Sequence, residues 1–375
     1  MKCLLIFWLL CCWWTGTAQA DSPWVIASGP GPAWPAHCPV SLAVAIERGA
    51  VSVGFAVSLT SDDQVVVIAD PVLTGLGDAD HLLAEKIGDD GRLAVPDLSL
   101  AELRQLTAQA PIAAAADGLT GCQIATLTET LNLINLLELE HQRNIGIVIE
   151  LRKLWLYQKA GKDLAGYVID LVTANRPAGD RDSTARTYLA AHDADELRRI
   201  HDQRLAQDAP HIGIIQLIDR NDSTEAMHLE RGSWLPYNYD WLFTNSGLRS
   251  LSDHVDVIGV TPSLLTDSGQ TKLLDFFDDA RRLGITLIIY PVDPLLSAEP
   301  PPTEEAVPVS LNQLLTGGFD GVLTGQYETI VELVGEQLPL PQENALPVST
   351  VDQIIDNLEQ THTETSDSAE SLLFH

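Results

Sequence analysis

Residues 144–150 read Asn-Ile-Gly-Ile-Val-Ile-Glu, and this run decides the fold. Four β-branched residues without an intervening polar side chain are typical of a strand that is covered on both faces. Working outward, similar short runs occupy residues 24–27, 52–60, 65–68, 187–190, 211–217, 256–260, 285–290 and 321–324. Stretches with apolar residues at helical spacing alternate with them, at residues 40–48, 163–174, 195–207, 271–283 and 326–335. About eight such alternations predict an α/β (βα)8 barrel.

The amino terminus predicts an export signal. Lys2 precedes an apolar run over residues 3–14, and the segment ends in Ala18-Gln19-Ala20. This order is typical of a secretory signal peptide that is cleaved after Ala20. The run is shorter than the roughly 20 apolar residues of a spanning helix, so we expect no transmembrane segment. We therefore expect residues 1–20 to be removed and the protein to be periplasmic or secreted.

The charge balance limits the possible partners. The 375 residues include 52 Asp and Glu against 22 Lys and Arg, which gives a formal charge of −30. Such a surface repels phosphate backbones, so we expect no nucleic-acid partner. Residues 21–336 form the predicted barrel domain. Residues 337–375 hold seven acidic residues and no Lys or Arg, which indicates a disordered acidic tail.

Two cysteines, Cys38 and Cys122, remain outside the predicted signal. In an oxidising compartment such a pair indicates a disulfide rather than a metal site. The alternative is two buried free thiols. Cys38 follows the first predicted strand, and Cys122 lies in the long connection after the second.

Several segments carry a family resemblance. Residues 25–39 (VIASGPGPAWPAHCP) and 45–71 resemble the amino-terminal signature of the glycerophosphodiester phosphodiesterases, in particular their periplasmic bacterial branch. The likeness continues through residues 144–153, 192–200, 232–243 and 318–325. It implies a TIM barrel of the PLC-like phosphodiesterase type. It also implies metal-assisted phosphodiester cleavage, in which calcium lies between carboxylates and two histidines act as acid and base.

The residues at the family's functional positions differ from that pattern. The two catalytic histidines and the arginine of the family fall on Ser28, Ala69 and Gly29. Two metal-binding carboxylates fall on Gly54 and Ala56, and further polar positions fall on Ala36, Ala190 and Gly325. Glu150 keeps the third metal position, and Arg152 replaces the family's lysine. The resemblance thus leaves Glu150 as the single surviving ligand.

These departures predict a barrel without the family's catalysis. A positioned acid or base contributes about 10²- to 10⁴-fold to a rate, and calcium takes about six to eight oxygen ligands. We expect a non-catalytic binding or regulatory module that needs no cofactor, with an enlarged, less polar pocket and an unknown small-molecule or protein ligand. The alternative is a weakly active or rebuilt glycerophosphodiester hydrolase that would use Ca²⁺. A third reading is an envelope-associated protein that acts through its tail.

Other polar and aromatic residues fit structural roles. Glu150 and Arg152 are expected to form a buried ion pair, with Arg152 as an alternative anion site in the emptied pocket. Asp62, Asp63 and Asp70 are expected to bond turn backbone. Residues that could also reach the rim are His37, His192 and Asp293. Tyr237, Tyr239 and Trp241 are expected to pack.

Overall fold

The computed structural model describes most of the predicted barrel. The described residues are 23–29, 31, 38–73, 86–87, 92–105, 107–108, 122–176, 186–262, 264, 270–292 and 318–334. The predicted signal at 1–20, the tail at 337–375, and Ala36, His37 and Asp293 lie outside these residues. Within the described residues, no helix is both long and apolar enough to cross a membrane.

The strands follow the apolar runs of the sequence. In chain order they are β1 Trp24–Ala27, β2 Ser52–Leu59, β3 Val65–Val67, β4 Val72–Leu73, β5 Leu93–Ala94, β6 Thr107–Ala108, β7 Cys122–Gln123, β8 Gly146–Leu151, β9 Thr187–Ala191, β10 Gly213–Ile218, β11 Met227–Glu230, β12 Ser233–Pro236, β13 Val257–Val260, β14 Thr286–Ile289 and β15 Gly321–Thr324. Within the described residues, eight of them run parallel in the order β1-β15-β14-β13-β10-β9-β8-β2. A β1–β2 pairing closes the ring, so the predicted (βα)8 barrel is confirmed.

Helices surround the closed sheet. They are α1 Pro39–Glu47, α2 Leu100–Leu103, α3 Leu127–His141, α4 Leu154–Lys159, α5 Leu164–Asn175, α6 Ala194–Ile200, α7 Ala206–Asp208, α8 Asn245–Ser252, α9 Gln270–Arg282 and α10 Tyr327–Val334. A 3-10 turn spans Val95–Asp97, and a π-helical turn spans His201–Leu205. The helix predicted at residues 195–207 is therefore interrupted by the π turn.

Two apolar layers hold the barrel together. A large cluster joins the outer strand faces to the helices, with Ile147 and Ile149 of β8 among its members. A smaller cluster fills the barrel interior, where Val148 of β8 meets Leu323 of β15. All six residues of β8 are buried. Both faces of β8 are covered, which explains its uninterrupted apolar sequence.

One hairpin is an addition to the predicted pattern. Strands β11 and β12 pair antiparallel after β10, and the turn between them is Arg231-Gly232. Both residues have positive φ, 50° for Arg231 and 86° for Gly232. Two-residue hairpin turns require this backbone conformation, and glycine adopts it without a steric cost. The hairpin is half exposed, so its sequence lacks the apolar run that marks the barrel strands.

Candidate functional site

A pocket opens at the carboxyl ends of the barrel strands. Its volume is about 310 Å³. The lining residues are Ser28, Gly54, Phe55, Ala56, Glu150, Arg152, His192, Asp219, Glu225, Thr261, Tyr290, Pro291 and Leu323. Many of them stand at the end of a strand or just after it, which is where (βα)8 barrels carry their sites.

Glu150 lies near the end of β8, deep in this pocket. It is 8% exposed, and the hydroxyl of Tyr290 donates a hydrogen bond to its Oε2. Its Oε1 is 3.5 Å from Nε of Arg152. Burial raises the pKa of Glu150 to about 7, although Arg152 and the Tyr290 hydrogen bond both act to lower it. The carboxyl group can therefore exchange a proton close to neutral pH.

The guanidinium of Arg152 lies between two glutamates. Its Nε donates to Oε2 of Glu225 at 3.1 Å, and its Nη2 donates to Oε1 of the same carboxylate. Its Nη1 donates to the carbonyl of Ala69 at 2.7 Å. This two-point contact with Glu225 is the strong, orientation-fixing form of an Arg–carboxylate pair. The predicted Glu150–Arg152 pair is present, but Glu225 is the closer partner.

The charge state of Arg152 follows from these contacts. Burial acts to lower the pKa of the guanidinium, but Glu150 and Glu225 outweigh it and raise the pKa above its ordinary value. Arg152 is therefore a permanent cation, and each of its three side-chain nitrogens donates a hydrogen bond to an oxygen of the protein. The predicted anion site at Arg152 stays a prediction, and an anion would compete there with Glu225.

A second ion pair forms beside the first. Lys153 has a left-handed backbone, with φ 48° and ψ 47°, where the chain turns from β8 into α4. Its Nζ is 2.7 and 2.8 Å from the two carboxylate oxygens of Asp70. Asp70 also accepts a hydrogen bond from the backbone of Val72 at 2.8 Å. Burial acts to raise the pKa of Asp70, but Lys153 and this hydrogen bond outweigh it and lower the pKa.

His192 follows β9 and is buried beside Glu150. Its Nε2 is 4.0 Å from Oε1 of Glu150, and its Nδ1 is buried without a hydrogen-bond partner among the described residues. Burial lowers the pKa of His192, aided by the charge of Arg152 and opposed by Glu225 and Asp219. The imidazole is therefore neutral near pH 7. Among the described residues that line the pocket, His192 supplies an imidazole, at a position other than the family's histidines.

Three of these groups are spaced as metal ligands are. One donor atom each from Glu150, His192 and Glu225 lies within 4.8 Å of the others. An imidazole with two carboxylates suits Zn²⁺ or Mn²⁺ better than Ca²⁺, which prefers oxygen ligands. As arranged, however, the residues do not fit a metal. The guanidinium of Arg152 donates hydrogen bonds to both oxygens of Glu225, and the hydroxyl of Tyr290 donates one to Oε2 of Glu150. These oxygens are therefore already occupied as acceptors.

This cluster corrects one sequence-based expectation. The family's positions alone left Glu150 as the sole anionic donor, whereas Glu225 supplies another carboxylate in the pocket. Asp219 and Thr261 also line the pocket, and the expectation that it is less polar than the family's pocket stays a prediction. Asp219 accepts a hydrogen bond from Oγ1 of Thr261 at 3.0 Å.

The other family positions carry small residues. Ser28, Gly54 and Ala56 line the pocket, whereas Ala69 contributes only its carbonyl, to Arg152. A Cβ at Gly54 would lie 2.7 Å from Cδ1 of Leu323 and 3.0 Å from Cγ2 of Ile26. The space where a side chain at position 54 would begin is thus filled by neighbouring side chains.

The contacts of the next four expected residues are typical of structural positions. These residues are Gly29, Ala190, Asp62 and Asp63. Gly29 stands against the carbonyl of Gly325, which would be 3.5 Å from a Cβ at residue 29, and Ala190 is fully buried in the barrel interior. Oδ1 of Asp62 accepts hydrogen bonds from Oγ1 of Thr60 and, at 3.0 Å, from the backbone of Leu100. Asp63 has a left-handed backbone with φ 61° and pairs with Lys162.

The tyrosines and the cysteine also occupy structural positions. Tyr237 and Tyr239 are buried and in ring contact, while Trp241 is 37% exposed. Cys38 is disulfide-bonded and buried. The side chain of Cys122 lies outside the described part of the chain, so the Cys38–Cys122 pairing stays a prediction.

Sequence reasoning missed Glu225 and Tyr290. Tyr290 stands directly after β14, and a residue in that position of a (βα)8 barrel is a site candidate, so a signal was present. Glu225 lies in the loop between β10 and the hairpin, 73 positions from Arg152. No local pattern around Glu225 indicates this contact.

Comparisons with known proteins show the family of the chain. A model of the glycerophosphoryl diester phosphodiesterase family matches residues 29–329. The chain belongs to this family. A glycerophosphodiester phosphodiesterase from Treponema pallidum is 26% identical over 252 residues, 64% of this chain and 70% of the relative. One from Haemophilus influenzae is 27% identical over 251 residues, 64% of this chain and 68% of the relative.

Solved structures of the family share the fold. A glycerophosphodiester phosphodiesterase from Parabacteroides distasonis superposes with a TM-score of 0.52 at 17% identity, covering 84% of this chain and 97% of that one. A phosphodiesterase from Oleispira antarctica, solved with its product sn-glycerol-3-phosphate, gives 0.51 at 16% identity, covering 83% and 96%. The family is metal-dependent.

Proposed function

We propose that this family member is a binding barrel that does not hydrolyse phosphodiesters. The observation that carries the proposal is the set of contacts that Arg152 makes. The positive charge of the pocket is already paired with Glu225, with Glu150 and with the carbonyl of Ala69. A phosphoryl group in transfer needs unpaired cationic groups, which a metal and free arginines provide in other enzymes. The small residues at Ser28, Gly54, Ala56 and Ala69 add to the case, because none of them supplies an acid, a base or a metal ligand.

The charge around the pocket indicates the chemistry of its ligand. Glu150, Asp219 and Glu225 line the pocket, and the cation among the lining residues is Arg152. Lys153 is nearby but is paired with Asp70. An excess of carboxylates disfavours phosphate dianions and favours neutral or cationic polar molecules. We therefore propose a small neutral or cationic ligand.

Turnover measurements test the first proposal. The full chain is incubated with glycerophosphocholine and with glycerophosphoglycerol, in the presence of Ca²⁺, Mg²⁺ or Mn²⁺. We expect no release of glycerol phosphate above that of a Glu150→Ala variant. The matched control is Glu230→Ala, which removes an exposed carboxylate on the β11–β12 hairpin. Turnover that Glu150→Ala abolishes and Glu230→Ala preserves would refute the proposal. Turnover unaffected by either change would come from a contaminating enzyme.

A second candidate function is a hydrolase with a rebuilt centre. The spacing of Glu150, His192 and Glu225 within 4.8 Å favours it. It requires Arg152 to leave the space between the glutamates. In that case, turnover should need Zn²⁺, Mn²⁺ or, as in the family pattern, Ca²⁺, and it should be lost in His192→Ala. A metal-dependent rate that survives His192→Ala would exclude this centre.

We also propose that the protein is exported. The basis is the sequence of residues 1–20, with Lys2, an apolar run and the Ala18-Gln19-Ala20 ending. Amino-terminal sequencing of the protein expressed with its native leader should find Asp21 first. A mature chain that still begins at Met1 would contradict the proposal.

A further inference from the structure

Glu150 and Glu225 meet in the pocket although they come from distant parts of the chain. Both side chains are largely buried, 11% and 15% exposed. Two buried carboxylates this close repel each other strongly unless a cation lies between them. In a metal site that cation is a divalent ion. In this chain, the group found between the two carboxylates is the guanidinium of Arg152.

The contacts of Arg152 resemble those of a bound ion in number and direction. Its nitrogens meet both oxygens of Glu225, Oε1 of Glu150 at 3.5 Å and the carbonyl of Ala69 at 2.7 Å. All these acceptors are oxygens, and they surround the guanidinium from separate segments of the chain. Nε2 of His192 lies 4.0 Å from Oε1 of Glu150, and Nδ1 of the same ring is buried without a partner among the described residues. An imidazole and two carboxylates are therefore close together, and the guanidinium contacts both carboxylates.

We propose that the guanidinium of Arg152 takes the place of a metal ion. In this position it prevents a transition metal from binding to Glu150, His192 and Glu225. The guanidinium neutralises the two carboxylates as a divalent ion would. It also fills the space that such an ion needs. The proposal concerns metal binding and goes beyond the proposed function, whose test is phosphodiester turnover. The two can therefore fail separately.

Removing the guanidinium should open the site. We expect Arg152→Ala to bind Zn²⁺ and Mn²⁺ at least about a hundredfold more tightly than the wild type, because the cation that fills the space of the ion and neutralises its ligands is removed. Titration calorimetry with each metal salt measures this. The double variant Arg152→Ala/His192→Ala should lose the gain for Zn²⁺, since the imidazole is a ligand. An equal gain with and without His192 would overturn the proposed site.

Lys153→Ala is the matched control. It also removes one cation from the cluster, with Nζ 3.9 Å from Oε1 of Glu225, but it leaves the space between the glutamates filled. We expect it to change metal affinity by no more than about fivefold, because the ion still has no room. A gain equal to that of Arg152→Ala would show a general effect of charge and overturn the proposal. Tight, His192-dependent Zn²⁺ binding by the wild type would overturn it as well.

Folding of the variant needs a separate measurement, since removal of one partner from a buried ion pair is strongly destabilising. If Arg152→Ala is unfolded in chelator, circular dichroism should show recovery of the fold when Zn²⁺ is added. Arg152→Gln, which keeps most of the side-chain volume, provides a second folded sample. Absence of recovery, together with absence of metal binding by folded Arg152→Gln, would overturn the proposal.

Discussion

At the scale of single residues, the pocket depends on where buried polar groups find partners. Glu150 is largely buried, and its ordinary pKa would leave a full charge there at neutral pH. The Tyr290 hydroxyl and the Arg152 guanidinium supply the compensating contacts. Burial still raises the pKa of Glu150 to about 7. The balance between burial and two partners is what makes this carboxyl group responsive near neutral pH.

A comparison of two tyrosines measures how much the hydrogen bond to Glu150 contributes to the free energy of unfolding. Tyr290 donates to Glu150, whereas the buried hydroxyl of Tyr239 has no partner among the described residues. We expect Tyr290→Phe to lower the free energy of unfolding by about 1–3 kcal/mol, the usual cost of a buried polar group left without its partner. Tyr239→Phe should leave it unchanged or slightly higher. Urea denaturation at pH 8, where Glu150 is mostly ionised, measures both. Equal losses in the two variants would contradict this assignment.

At the scale of secondary structure elements, the contact of β2 with β15 determines what position 54 can hold. Gly54 on β2 has no Cβ, and the side chains of Leu323 on β15 and Ile26 on β1 occupy the space that a Cβ would need. We expect Gly54→Ala to lower the free energy of unfolding by about 1–3 kcal/mol through overpacking. In a Leu323→Ala background, which removes the closest atoms, the same change should cost much less. A double-mutant cycle by urea denaturation measures the coupling, and additive effects would exclude the contact as the cause.

Helix α3 carries a pH-dependent cap. Glu129 accepts a hydrogen bond from the backbone of Thr126 at 2.7 Å and from Arg104 at 2.6 Å. Burial acts to raise the pKa of Glu129, but these two partners outweigh it and lower the pKa below 4.5. A lowered pKa adds stability that is complete above the unfolded value and is lost as the pH falls through the folded value.

Glu129→Gln tests this cap, because glutamine keeps the shape and loses the charge. We expect the variant to be less stable than the wild type by about 1 kcal/mol at pH 7. The difference should begin to shrink as the pH falls below about 4.5, the ordinary pKa of a glutamate, and should close as the pH falls through the lowered pKa of Glu129 in the folded protein. Thermal unfolding of both proteins between pH 3 and pH 8 measures the gap. A gap that stays constant over this range would show that the charge has no part in the cap.

The strands and the hairpin also show which parts of the fold the sequence predicts. Continuous apolar runs such as residues 144–150 predict barrel strands because both strand faces are buried, and the order of runs predicts the closed sheet. The β11–β12 hairpin is half exposed, so no comparable run marks it. Family positions predict that Ser28, Gly54 and Ala56 line the pocket. They cannot predict Glu225, because its contact with Arg152 depends on how a loop folds back over 73 positions.

At the scale of the whole molecule, the barrel brings the pocket groups together from separate turns of the chain. Glu150 lies near the end of β8, and His192 and Tyr290 follow β9 and β14. The closed sheet places the ends of these strands around one opening. The site therefore depends on closure of the ring through the β1–β2 and β1–β15 pairings. An altered pocket residue leaves this scaffold intact, which explains how the fold persists while the residues at family positions differ.

The net charge of −30 predicts how the whole protein responds to salt. Acidic residues outnumber basic ones by 52 to 22, so repulsions exceed attractions in the folded state. Salt screens repulsions and attractions alike. Exposed ion pairs contribute only about 0–1 kcal/mol each, so their loss costs little. The long-range repulsion is screened first, and its loss should therefore dominate. We expect the melting temperature at pH 7.5 to rise by about 1–2 °C between 10 and 200 mM NaCl, which for a chain of this length is a gain of about 1 kcal/mol. Differential scanning calorimetry measures this shift.

Near the isoelectric point of about 4.4 the repulsion is small, so the same salt increase should have little effect there. A melting temperature that falls with salt at pH 7.5 would mean that specific ion pairs, such as Arg152 with Glu225, outweigh the net charge.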